Sequence, residues 1–318
     1  MSEASIEILV LTYNRSGLLA RALESITNQT RSACRIRVLD NGSTDDTPGI
    51  VRGFASAGVE LVRHERNDPR GCWSTLQAMV EAPWAMLFHD DDLLHPECIE
   101  RISQSLSPGP QPSVVVTLMQ AFRGLAPGFP PLGACRPERM TARELARRLY
   151  RGLAVPFCTA VYRRDALQSQ EADLATFGKI FDRPLILDVA AVSGAMLIPE
   201  PLVLYRQHES QDSSHRASGP FPAQVISLQR RYREMLGEST LQASGRAFLR
   251  RNRRNLIREH SAMQGSPGWD VPLDRFLMDA VLGGGASRRS LGTGLAYAWL
   301  TDGPRAMERL VRSLLARR

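Results

Sequence analysis

The 318 residues carry a formal net charge of +7, with 43% hydrophobic and 23% charged side chains. This is ordinary globular composition, which excludes wholesale disorder, a collagen-like fibre and a coiled-coil rod, and the length suffices for one large domain or two smaller ones. No stretch reaches the roughly 18 uninterrupted apolar residues of a membrane span; the nearest, 276–300, is broken by Asp279, Arg288 and Arg289. The N-terminus starts acidic and lacks the basic n-region of a secretory signal. Five scattered cysteines form no Cys-x-x-Cys pair, so neither a disulfide framework nor a zinc site is expected, and a reducing, cytoplasmic compartment is.

Strand and helix signals alternate through the first 120 residues. Residues 6–12 (IEILVLT) are a short β-branched run of the kind that forms a buried parallel strand. Asn14 and Ser16 offer caps to a helix with Leu18, Leu19, Ala22, Leu23 and Ile26 on one face. Residues 35–39 read as a second strand, followed by the turn cluster Asp40-Asn41-Gly42-Ser43 and a helix that Ser43, Thr44 or Asp45 can cap. A third strand at 59–62, a helix at 71–80 and a fourth strand at 84–88 lead to His89-Asp90-Asp91-Asp92, after which Pro96 opens a helix. Residues 114–118 are another strand. This order predicts an α/β fold with a mainly parallel sheet and helices on both faces.

Farther on, residues 123–140 are rich in Gly and Pro and read as a long loop. Thr141-x-x-Glu144 is a capping box for a helix to 151. A strand at 156–162, a helix at 165–175 and a helix at 182–192 follow, then apolar runs at 195–204 that Pro199 and Pro201 interrupt before Tyr205-Arg206-Gln207-His208. Past Ser218-Gly219-Pro220 the texture changes, which sets an expected boundary between domains 1–216 and 217–318. Residues 224–318 hold 17 Arg and 8 acids against 23 basic and 25 acidic residues before them, and Lys179 is the sole lysine. This predicts a basic helical C-terminal extension. Its arginines have two readings: a solvated face on packed helices, or peripheral contact with an anionic membrane at its inner face. Too few aromatics accompany them for a nucleic-acid surface.

Ligands of such sheets sit beyond the carboxyl ends of the strands. Thr12-Tyr13-Asn14, Asp40-Asn41-Gly42 and His89 to Asp92 all fall there, so three polar clusters converge on one rim. Three adjacent carboxylates repel one another unless a cation or solvent compensates. Oxygen ligands suit Mg²⁺ or Mn²⁺, the ions that hold diphosphates. The competing reading is a helix N-terminus, where Asp is favoured; the strand-end position favours the ion. No Gly-x-Gly-x-x-Gly or Walker loop is present. Trp73 reads as packing with sugar stacking as its alternative, Cys158 as a small core residue, and His64, His95, His215 and His260 carry no role.

The blocks ILVLTYNRSGLLARALESI, RVLDNGSTDDT and WAMLFHDDDLLHPECIE, with the later FDRPLILDVAAVSG and EPLVLYRQHESQDS, resemble in order and spacing a family 2 glycosyltransferase of the GT-A fold. The resemblance spans about residues 5–215. It implies an inverting transferase using a nucleoside diphosphate sugar, UDP or dTDP favoured, a hydroxyl acceptor such as a glycan or a lipid-linked carrier, and Mn²⁺ or Mg²⁺. Thr12, Tyr13 and Arg15 then stand where the first loop meets the nucleotide, Asp40 where a carboxylate accepts from the base, Arg70 beside the nucleotide and Asp90 near the ribose. Asp91 matches the metal ligand, His208 a late metal or diphosphate contact, and Asp182 the carboxylate that deprotonates the acceptor. His89 stands where many relatives have the first Asp of the motif, which leaves Asp92 as a second candidate ligand; Asp182 is preceded by Phe181 rather than the usual Glu, and could simply cap its helix. Two rivals are a nucleotidyltransferase, which would carry a Gly-rich triphosphate loop near residue 12, and a non-catalytic nucleotide-sugar-binding protein.

Overall fold

The computed structural model describes residues 4–106, 109–208 and 221–237. In chain order the elements are β1 (Ile6–Thr12), α1 (Ser16–Thr27), β2 (Arg35–Asp40), α2 (Thr47–Gly53), β3 (Val59–Arg63), α3 (Gly71–Met79), β4 (Trp84–His89), β5 (Leu93–Leu94), α4 (Cys98–Ser105), β6 (Val114–Phe122), β7 (Glu138–Met140), α5 (Ala142–Tyr150), β8 (Ala160–Arg163), α6 (Arg164–Gln168), α7 (Leu174–Phe177), α8 (Asp182–Ser193), β9 (Ala195–Arg206) and α9 (Phe221–Leu236). They divide into two compact units. The first holds the described residues up to 145 with 154–172 and 185–208; the second holds 146–153, 173–184 and 221–237. The boundary expected at 216/217 falls outside the described residues.

One mixed sheet organises the first unit, in the order β3-β2-β1-β4-β8-β6-β9-β5, with β7 also on β9. Its four long ladders, β1 to β2, β1 to β4, β2 to β3 and β6 to β9, are parallel, while β8 and the short β5 and β7 pair antiparallel. The α/β expectation therefore holds, with an antiparallel seam at β8. Strand β1 is buried almost throughout because helices cover both faces of a parallel sheet. Ile8, Val10, Met86 and Phe88 are fully buried in the main core, each worth roughly 1.5–3 kcal/mol of apolar burial. From α1 they meet Leu19, Ala22, Leu23 and Ile26, the face its 3.6-residue spacing predicts.

A buried ion pair lies at the strand starts, away from the rim. Glu7, fully buried in β1, accepts Arg37 at 2.6 Å and the backbone N–H groups of Glu81 and Ala82 at 2.6 and 2.7 Å. Arg37 also binds Glu81 and the Met79 carbonyl. This is how a glutamate survives inside an apolar run: a buried charge is tolerated when it is paired and its remaining lone pairs are used.

Some expected elements change. The strand expected at 156–162 is a tight turn at Phe157–Thr159 followed by β8, since Thr159 bonds back to the Pro156 carbonyl. The helix expected at 165–175 is two short helices, because Asp173 starts a new one by accepting the Thr176 N–H at 2.9 Å. Asn14 and Ser16 do not cap α1. Asn14 adopts φ 51° and accepts from the Thr44 N–H, and the Ser16 N–H is taken by Asp45 at 2.8 Å. The first helix is thus capped from the next loop. Strand β9 passes unbroken through Pro199 and Pro201 because its register with β6 shifts there, Thr117 facing Ile198 and Leu118 facing Pro201, the kind of irregularity that admits proline to a sheet. The capping box forms as expected: Thr141 N–H donates to Glu144 Oε2 at 2.8 Å, and Glu144 N–H donates to Thr141 Oγ1 at 3.2 Å.

In the second unit, Leu228, Tyr232 and Leu236 form the buried stripe of α9, and Tyr232 packs edge-on against Tyr150, ring centroids 5.5 Å apart. The predicted basic extension is described only as far as this helix, where Arg230 is exposed. The later arginine-rich stretches, 246–260 and 305–318, lie outside the described residues. Among the described residues, no helix is long and apolar enough to cross a membrane.

Candidate functional site

The rim predicted from the strand ends is built by backbone hydrogen bonds before any side chain acts. Thr12 pairs with Asp40 across β1 and β2, Leu11 with His89 across β1 and β4, and the Asn41 N–H donates to the Thr12 carbonyl at 2.9 Å. The turn after β2 needs its glycine: Gly42 sits at φ +80°, and a Cβ there would run into the backbone of Arg66 and Asn67. Asp40 is fully buried, accepts the Ser43 N–H at 2.8 Å and pairs with Arg63 Nε at 3.2 Å. Asn41 holds the loop after β3, accepting from the Asp68 N–H and contacting His64, whose other ring nitrogen meets Thr75.

The loop after β4 carries the acids. Asp90 is 2% exposed; Thr12 Oγ1 donates to its Oδ2 at 2.7 Å and Arg15 to its Oδ1 at 3.2 Å. The same Arg15 nitrogen reaches Asp91 Oδ2 at 3.3 Å, and His208 Nε2 donates to that oxygen at 3.0 Å. Asp92 is fully buried and accepts the Arg206 N–H at 2.9 Å through Oδ1, while its Oδ2 has no hydrogen-bond partner. Arg206 reaches back to the Asp91 carbonyl at 2.9 Å and the Gly124 carbonyl at 3.1 Å, with its guanidinium 4.6 Å above the Phe122 ring. Strand β9 therefore delivers both Arg206 and His208 to the acidic loop.

Burial sets the electrostatics. Loss of water raises the Asp90 carboxyl from its ordinary value, and the Asp91 charge adds to it. Asp92 is pushed up to about 7, by burial first and by Asp91 second. The Cys158 thiol, fully buried beside Asp92, is raised well above its ordinary value by burial and then by that carboxylate. Such a cluster is costly without a cation. The donors present fit a divalent one: His89, Asp91 and Asp92 each offer a ligand atom, all within 4.8 Å of one another. Carboxylate oxygens with an imidazole nitrogen suit a first-row divalent ion.

The structure thus brings together Thr12, Arg15, Asp90, Asp91, Asp92 and His208, with Asp40 opposite Thr12 on the neighbouring strand. Tyr13 is 40% exposed, and Arg70 is exposed at the start of α3, its backbone N–H on Asp68; neither enters these bonds. Asp182 opens α8 in the second unit. Sequence reasoning passed over three participants. Arg206 could have been found from its place in Tyr-Arg-Gln-His. His89 was a departure from a pattern rather than a donor, and Cys158 was a core residue; nothing in the sequence marks its contact with Asp92.

A family model described as Glycosyl transferase family 2 matches residues 7–170. An uncharacterized glycosyltransferase of Haemophilus influenzae is 28% identical over 106 residues, 33% of this chain and 35% of that one. The succinoglycan biosynthesis protein ExoO of Rhizobium meliloti is 27% identical over 98 residues, 30% of this chain and 28% of that one. The chain spans about a third of the length of these curated relatives. Among solved structures, residues 1–349 of S. aureus TarS in complex with UDP-GlcNAc superpose with a TM-score of 0.63 at 15% identity, covering 95% of this chain and 88% of that one. The mannosyltransferase PcManGT of Pyrobaculum calidifontis, in complex with GDP-Man and Mn²⁺, gives 0.51 at 16% identity, with 99% and 81% covered. At such identities the likeness is one of fold.

Proposed function

Because the chain belongs to glycosyl transferase family 2, whose model spans residues 7–170 of its 318, we propose that it transfers a sugar from a nucleoside diphosphate to an acceptor hydroxyl, with inversion and with a divalent cation bound. The observation that carries this reading is the convergence of His89, Asp91 and Asp92 within 4.8 Å at the end of β4, beside an Asp90 tethered to β1 by Thr12. The nucleotide-sugar complexes of TarS and PcManGT, the latter with Mn²⁺, support the donor class.

Each residue then has a task that its surroundings suit. Thr12 and Arg15 hold Asp90 in one rotamer, where it can accept from the ribose. Asp40 is the acceptor offered to the base, its carboxylate now paired with the half-exposed Arg63, whose Nη2 also donates to the Ser43 carbonyl at 2.6 Å. This assignment suits a uracil or thymine donor, whose ring N–H can donate to a carboxylate, over a base that offers no ring N–H. The cation, held by Asp91 with Asp92 or His89, would offset the charge developing on the leaving diphosphate. Arg15 and His208, both already on Asp91, bring positive or proton-donating groups to the same place. Asp182 takes the acceptor proton as the new C–O bond forms. One displacement by an oxygen from the face opposite the leaving group inverts the anomeric carbon, and the reading requires no covalent nucleophile.

Nucleoside diphosphate release from a panel of UDP, dTDP and GDP sugars, with Mn²⁺ present, chelated away and restored, tests the reading. Wild type should release product only with metal, and Asp91→Ala should lower the rate by at least ~100-fold, the scale on which charge-stabilising groups act. An Asp91→Ala protein that turns over normally would refute the metal-assisted reading.

A further inference from the structure

Family-pattern reasoning leaves His89 as a mismatch, yet it has the placement of a ligand. It is the last residue of β4, its register fixed against Leu11. Its ring lies 5.1 Å from the Phe157 ring at an interplanar angle of 14°, and Trp73 meets Phe157 edge-on at 5.8 Å. Phe157 and Trp73 are themselves buried. A stacked imidazole is held by its face, so its nitrogens remain at the edge, and one of them lies within 4.8 Å of donor atoms on Asp91 and Asp92. The Asp92 carboxylate is buried, its Oδ1 on the Arg206 N–H and its Oδ2 with no hydrogen-bond partner. We propose that the His89 imidazole is a direct ligand of the bound cation and that it makes the site select Mn²⁺ over Mg²⁺. The inference rests on the reading above and deepens it by naming the ion.

The chemistry follows from the donor set. Mg²⁺ takes oxygen ligands in a near-ideal octahedron and gives up its water reluctantly. An imidazole nitrogen among carboxylates removes one oxygen position and substitutes a softer donor. Transition ions accept that exchange, with affinity for nitrogen donors climbing from Mn²⁺ toward Co²⁺. The aromatic wall of Phe157 and Trp73 orients the ring in advance, so little side-chain freedom is lost on binding.

The test is metal binding by the full chain, with UDP as the nucleotide probe. Free Mn²⁺ is followed by electron paramagnetic resonance, and Mg²⁺ and Co²⁺ are measured by competition. Wild type should order the ions Mg²⁺ < Mn²⁺ < Co²⁺. His89→Ala should weaken Mn²⁺ by about 10–100-fold, at least what loss of a supporting partner costs, with Mg²⁺ changed far less. His89→Asp, which restores an all-oxygen set, should raise Mg²⁺ affinity and narrow the ratio, and it decides the matter should His89→Ala melt early. Spin-echo modulation from a bound ¹⁴N should appear on Mn²⁺ in wild type and in His208→Gln, and vanish in His89→Ala. An unchanged Mn²⁺ to Mg²⁺ ratio in both His89 variants overturns this inference while leaving the glycosyl-transfer reading intact. So does modulation lost in His208→Gln but kept in His89→Ala. A wild type that binds no Mn²⁺ with UDP present overturns the inference and the metal-assisted reading together.

Discussion

Raising the pH from about 5 to about 7.5 in the presence of a chelator should destabilise the protein, the reverse of what carboxylates usually do. In the folded chain the Asp92 carboxyl titrates at about 7, against an ordinary 3.8, because it is buried and next to Asp91. Below 3.8 both states hold the proton. Between 3.8 and about 7 the folded state retains a proton that the unfolded chain has released, so stability falls as pH rises, and above about 7 it levels off. The gap of about three pH units, at ~1.4 kcal/mol each, sets a ceiling of ~4 kcal/mol. Asp90 is displaced in the same direction by burial and then by Asp91 and adds to the trend. Half the ceiling, ~2 kcal/mol, would lower the melting midpoint by about 4–8 °C in a domain of 150–250 residues. Carboxyls held low, such as Asp68 by the Gly71 N–H and Asp165 by Arg163, titrate below this window. A divalent ion held by these carboxylates would bind their ionised form, so the stabilising effect of added Mn²⁺ should be larger at about pH 7.5 than at about pH 5. Thermal unfolding at both pH values, chelated and with saturating Mn²⁺, checks this. Stability that is flat or rising between them in the chelated protein would mean that Asp92 is ionised without a cation, and the electrostatic argument for the ion would fail.

Two further outcomes are expected. Asp182→Asn should bind donor as wild type does but lose about 10²–10⁴-fold in turnover, read from isothermal titration beside product release; normal turnover would remove Asp182 as the base. Thr141→Ala removes one half of a formed capping box and should cost about 0.5–2 kcal/mol in a urea titration while leaving kcat untouched, and a change in kcat would tie α5 to the site.

The parallel half of the sheet was legible because its signals are local. β1, β2 and β4 are short apolar runs bounded by turn residues, and their carboxyl ends place Thr12, Asp40 and Asp90 on one rim whatever the helices do. What escaped were features made by contacts distant in sequence. Thr12 to Asp90 spans 78 residues and Arg206 to Asp92 spans 114, and no periodicity records such pairs. The capping of α1 was misread for the same reason. Asn14 and Ser16 satisfy the local rule, yet Asp45 from the next loop supplies the acceptor, and Asn14 is drawn off to Thr44. Glu7 had no visible partner in the sequence because Arg37 lies on the neighbouring strand.

Strand β9 shows how the fold solves the problem of an acidic loop. Three consecutive aspartates at a strand end would splay apart if only their own backbone held them. The register shift at Pro199 and Pro201 resets the pairing with β6, so that the strand ends with Phe122 opposite Arg206 and the Arg206 side chain over the Phe122 ring. From there one residue fixes the loop twice, its N–H on the Asp92 side chain and its Nε on the Asp91 carbonyl, and His208 reaches the Asp91 carboxylate two positions on. The side chains of Asp91 and Asp92 are thereby turned toward His89 rather than outward to water. The prolines that looked like strand breakers in the sequence are therefore part of what seats the site.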